Sequence, residues 1–171
     1  MRPNDTEYAT FYASYIARVP EHDLLNVLEV QPAELRAMTD NIDPEEELFR
    51  YASDKWSIRQ VFGHLIDTER IMGYRAFRIA RGDATPLAGF DEKIYVAEAD
   101  SEERTVKELA HEFAAVRNAN LWAIRRWRPD AWGRVGTANN YPVSARALAY
   151  IMAGHVRHHV AILRERYHVA W

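Results

Sequence analysis

Residues 56–82 read WSIRQVFGHLIDTERIMGYRAFRIARG, and their spacing decides the fold. Ser57 and Gln60 stand at the separation of a capping box, in which each side chain takes up the other's free backbone amide at a helix start. Val61, His64, Leu65, Thr68 and Met72 then recur at steps of three and four, the period of one buried helical face. The pattern predicts a helix that runs to about Ala80 and stops at Gly82.

Two segments on the C-terminal side repeat the signal. Thr105 and Glu108 form a second capping pair, followed by a stripe of Val106, Leu109, Phe113, Val116, Asn120, Ile124 and Trp127 that should end before Pro129. Ser144 opens a last helix of about 25 residues, roughly 37 Å long. On the N-terminal side, Leu24, Leu25, Leu28, Leu35 and Met38 predict a first helix, interrupted or kinked near Pro32. Between the helices lie three polar connections: 40–55, 82–101 and the turn-rich PDAWGRVGTANNYPV of 129–143. The second is long by the usual measure of loops and reads either as a crossover between bundle corners or as a lid. Nothing reads as a well-bounded strand, and no internal repeat is visible. The expectation is an all-α four-helix bundle over residues 21–171, with residues 1–20 as an N-terminal arm.

Composition sets the outer bounds. The 171 residues are 48% hydrophobic and 27% charged, enough to build one core without help. There is no Cys, which removes disulfides, thiolate metal sites and any cysteine nucleophile of the protein's own. No apolar stretch follows MRPNDTEY, and the longest apolar run, near 147–153, is far short of the roughly 20 residues of a membrane span. The chain is therefore expected to be cytoplasmic, with no membrane partner. Its net charge of −3 is unevenly spread, with 13 basic against 22 acidic residues over 1–110 and 9 against 3 over 111–171. A nearly neutral total argues against nucleic acid as a partner. A nucleic-acid reading would rest on RRWRPDAWGR at 125–134, but cations late in a helix complement its dipole, so Arg125, Arg126 and Arg128 need no ligand to explain them.

The seven His carry the chemistry. In GHVRHH, His155 and His159 stand four apart, so they lie one turn above the other on one helix face. They share it with Leu148, Met152 and Ile162, which turns them toward the bundle interior. Two imidazoles stacked this way reach one ion at roughly 2.1 Å. His64 is the best third ligand, because it interrupts the apolar stripe of the second helix. His158 should point toward the rim, and His111, beside the core face of the third helix, is the reserve. Spacing alone leaves a second reading open, since four-apart His pairs arise readily by chance and a buried His is often just a hydrogen-bonded core residue. Asp67, one turn after His64, is a candidate to orient a ligand ring or act as a base, and equally a solvated side chain.

The stretch KWSIRQVFGHLIDTERIMGYRAFRIARGD (55–83), then TPLAGFDEKIYV (85–96), then AGHVRHHVAIL (153–163), resembles the DinB/YfiT-like superfamily, and within it the branch with a GFDE segment between helices two and three. The resemblance covers about Leu24 to Ile162. Each motif is loose; the three in order are specific. It implies a four-helix bundle, often a homodimer, whose metal site takes one His from the second helix and an H-x3-H pair from the fourth. Those positions are His64, His155 and His159, without departure. The implied metal is zinc or nickel. Family members with known chemistry act on low-molecular-weight thiols, as bacillithiol S-transferases or as mycothiol-dependent transferases and isomerases. The superfamily's name refers to damage-inducible expression and implies no DNA contact.

Three neutral imidazoles leave a divalent ion an open position, as in catalytic sites. With no Cys in the chain, any sulfur must come from a cosubstrate. The expected function is therefore metal-activated transfer or addition of a small thiol to a small electrophile. Asp67 would stand behind the ligands, and Asp91 and Tyr95 would line the site from the long connection. The alternatives are a metal-dependent hydrolase acting with activated water, and a non-catalytic stress-response protein in which the ion only staples the bundle.

Overall fold

A computed structural model of the protein describes residues 2–170. Six α-helices appear in chain order: α1 (Ala13–Ala17), α2 (Leu24–Thr39), α3 (Ile58–Ala80), α4 (Glu92–Glu98), α5 (Val106–Ile124) and α6 (Ala145–Arg166). The long ones, α2, α3, α5 and α6, form the four-helix bundle, with α3 packed against both α5 and α6. Their starts are written in the sequence. Ser57 with Gln60 and Thr105 with Glu108 form reciprocal capping boxes, and Ser144 accepts from the amide of Ala147 to open α6.

Pro32 does not interrupt α2, which runs through it without a break. A proline inside a helix leaves the carbonyl four residues earlier without its amide partner. Here that carbonyl belongs to Leu28, and Arg117 on α5 donates Nη1–H to it at 3.2 Å. Arg117 is wholly buried. It also forms a bidentate pair with buried Glu69 on α3, at 2.8 Å through each of Nε and Nη2, and donates to Gln31 Oε1 at 2.7 Å. Gln31 in turn donates to the carbonyl of Ala153 on α6 at 2.8 Å. One guanidinium thus ties three helices directly and the fourth through Gln31, in the middle of an apolar core.

The expectation of no strand is corrected. Val135–Ala138 (β1) and Tyr141–Ser144 (β2) pair as an antiparallel hairpin, with Ala138 opposite Tyr141. The turn is Asn139-Asn140, at φ 51° and 65°, the left-handed pair that a two-residue hairpin demands and that Asn tolerates. The third long helix also stops earlier than its stripe suggested, at Ile124. Trp127 then leaves the helical path to meet Trp132 at 4.9 Å between ring centroids.

The long connection is structured. Leu87 donates to the carbonyl of Thr137 and accepts from the amide of Asn139, both at 2.9 Å, so the connection is clipped to β1 before α4 begins. Asp91 caps α4, accepting from the amides of Lys93 and Ile94. The N-terminal segment is also laid against the bundle. Ile16 and Val19 are buried, and Glu7 binds Arg146 on α6. Burial alone would raise the Glu7 pKa, but the hydrogen bonds from Arg146, the Asn4 amide and Ser144 together outweigh it and hold the carboxyl at about 2. At Gly154 the helices α1 and α6 touch through backbone: a Cβ there would stand 2.0 Å from the carbonyl oxygen of Tyr15.

Candidate metal centre

His64 projects from α3 and His155 and His159 from α6, where the two helices pack face to face. All three are at most 7% exposed, and one ligand nitrogen from each lies within 4.8 Å of the other two. Nitrogens that share a tetrahedral ion at about 2.1 Å stand about 3.4 Å apart, so closure asks the rings to shift by about 1 Å. His64 Nε2 and His155 Nε2 are already 2.9 Å apart, and the buried Nδ1 of His159 has no hydrogen-bond partner. Two ring nitrogens face to face, with a third buried and without a partner nearby, is an arrangement that an ion satisfies in full.

The rings are electrically prepared for that role. Burial pulls the His64 pKa down to about 4, and burial together with the neighbouring imidazoles takes His155 and His159 well below the ordinary value. All three are neutral near pH 7, as ligands must be. Their orientation comes from aromatic neighbours: Trp56 lies 4.8 Å from His64, and Tyr15 meets His155 edge-on at 5.5 Å.

On one side the cluster opens into a cavity of about 800 Å³. His64, His155 and Thr68 line it, with Tyr12 and Tyr15 from the N-terminal segment and Phe90 from the long connection. Aromatic Phe11, Tyr12 and Tyr15 were not foreseen as site residues. The only trace in the sequence was an aromatic-rich segment without a helical period.

Of the other sequence candidates, His158 is half-buried beside Tyr15, and His111 is exposed on α5, away from the cluster. Asp67 makes no hydrogen bond to the imidazoles. Its Oδ2 is buried without a partner, burial raises its pKa, and the charges acting on it are Arg70 and Glu112 on the α5 side. Asp91 lines the cavity, but its carboxylate is engaged in capping α4. Tyr95 faces an adjoining cleft and packs on Phe90 at 5.3 Å. Arg125 and Arg128 are paired with Glu29 and Asp130. No helix among the described residues is long and apolar enough to cross a membrane.

A family model described as the DinB superfamily matches residues 28–163. Among solved structures, YfiT from Bacillus subtilis, a probable metal-dependent hydrolase with an unusual four-helix bundle topology, superposes with a TM-score of 0.77 at 17% identity, over 99% of this chain and 95% of that one. A mycothiol-dependent maleylpyruvate isomerase superposes with a TM-score of 0.66 at 15% identity, over 85% of this chain and 61% of that one. No curated protein matches by sequence.

Proposed function

The chain belongs to the DinB superfamily, and on that premise we propose that His64, His155 and His159 hold one divalent transition metal, zinc or nickel, which readies a low-molecular-weight thiol for transfer to a small electrophile. One observation carries the reading: three buried, neutral imidazoles converge at the wall of a cavity large enough for both reactants, in a chain that has no thiol of its own.

When bound, such an ion supplies Lewis acidity, lowering the pKa of a thiol or water that reaches it. The protein's residues do the rest. Trp56 and Tyr15 hold the His64 and His155 rings in place. Their low pKa values keep the nitrogens free of protons, so acid competes for the site only well below neutrality. Phe11, Tyr12, Met72 and Phe90 give one part of the cavity an apolar lining that favours a small organic electrophile.

The hydrolase reading draws support from the likeness to YfiT, which is a probable metal-dependent hydrolase over nearly the same length. One experiment separates the two. Metal content is measured on freshly purified wild type and His155→Ala, and both proteins are offered model electrophiles with and without added thiol. Stoichiometric metal in wild type, its loss in the variant and product only with thiol support S-transfer. Product without thiol favours hydrolysis, and metal retained by His155→Ala removes the triad.

A further inference from the structure

Two arginines are buried in this bundle, and they are treated differently. Arg117 has a carboxylate, an amide and a carbonyl around it. Arg75 on α3 is 2% exposed and has no carboxylate partner among the described residues. It donates Nη2–H to the carbonyl of Ala88 at 2.6 Å and lies against Met72 Sδ at 3.7 Å. Phe90 sits over its guanidinium at 5.7 Å, and the Tyr12 hydroxyl is beside it. A desolvated guanidinium costs several kcal/mol unless an anion compensates it. Of its five N–H groups the contacts to Ala88, Met72 and the Tyr12 hydroxyl use three. The side chain lines the same cavity as His64 and His155.

We infer that Arg75 binds a carboxylate of the substrate, at the opposite end of the cavity from the three imidazoles. The inference rests on their role as reaction centre. His64, Thr68, Met72 and Arg75 follow one face of α3, and the guanidinium sits level with Met72, about 12 Å along the helix from His64. The substrate is thus elongated, with its reacting group several bonded carbons from its anionic end. A single negative charge fits: it balances Arg75, because Lys93 at the rim is already offset by Asp91 and Glu92, which would repel the second charge of a phosphoryl group.

The test is calorimetric binding of mercaptocarboxylates of graded length to the zinc-loaded protein, beside mercaptoalcohols and mercaptophosphonates of equal length. Mercaptooctanoate should bind at least tenfold more tightly than mercaptooctanol, and mercaptopropionate should show no such advantage. Arg75→Met should abolish the difference, and its melting temperature should equal or exceed that of wild type, because an uncompensated charge has been removed. The inference is overturned if Arg75→Met keeps the carboxylate advantage, if it melts several degrees lower, or if the phosphonate binds tenfold more tightly than the carboxylate. His155→Ala distinguishes the two readings. Affinity for mercaptooctanoate that is indifferent to this change while still requiring Arg75 supports the anion site and sinks the metal centre.

Discussion

Replacing Arg117 with Met is the most informative single perturbation of the core. The change removes a guanidinium that is fully buried and leaves three groups behind. Glu69, 2% exposed, loses both bonds from Arg117 and keeps only the one from Asn120 Nδ2 at 2.8 Å; Gln31 Oε1 and the Leu28 carbonyl lose their donor. Breaking a buried ion pair from one side costs about 3–5 kcal/mol. Each neutral acceptor left dry adds about 1 kcal/mol or more. The sum, about 5–7 kcal/mol, matches the whole stability of many domains, at about 5–15 kcal/mol. Arg117→Met should therefore be barely folded at 25 °C. The double variant Glu69→Leu/Arg117→Met should recover most of the loss, since no charge remains without a partner. Adding Pro32→Ala to Arg117→Met should restore about 1 kcal/mol by giving Leu28 back its helical partner. Urea denaturation of metal-free protein measures all of these. A loss below about 1 kcal/mol for Arg117→Met, or a coupling to Glu69 below about 1 kcal/mol, refutes the reasoning.

Acid should weaken the metal-free protein through its imidazoles. The folded-state pKa of His64 is about 4, below the ordinary 6.5, so the folded state binds fewer protons than the unfolded one. Stability is full above pH 6.5 and falls as pH drops toward 4, by about 3 kcal/mol from His64 alone; denaturation at several pH values, repeated on His64→Phe, should show the slope shrink. Gly154→Ala should lift α1 off α6, because its methyl meets the Tyr15 carbonyl. We expect a cost of about 1–3 kcal/mol and lost hydrogen-exchange protection in residues 13–17. Asp67→Asn should leave metal content unchanged and raise stability slightly above pH 4, since burial raises the pKa of Asp67 and its charged form is what the fold disfavours; metal analysis and melting curves check both.

The bundle was legible because its signals are local. The boundaries of α3 follow from Ser57, Gln60 and Gly82, and the stripe from Val61 to Met72 tells which side is buried. The triad was legible for the same reason, as a four-residue step on α6 and one polar interruption on α3. The hairpin was hidden by reading Asn139-Asn140 as generic turn residues, although a two-residue Asn pair between Val135–Ala138 and Tyr141–Ser144 is itself a hairpin signal. The continuity of α2 through Pro32 could not be read locally at all. It depends on Arg117, 85 positions away in the chain, supplying the missing donor. The same holds for the cavity wall: Tyr15 meets His155, and Tyr12 joins the lining, only through tertiary docking at Gly154.

That docking has an evolutionary consequence. The N-terminal turn is seated by main chain in the notch at Gly154 and by the side chain of Ile16. Tyr15 stays against His155, but Phe11 and Tyr12 are released from anchoring duty. Their rings can be exchanged during divergence while the bundle and the imidazoles stay as they are, which makes this stretch an interchangeable faceplate through which one scaffold acquires new selectivity.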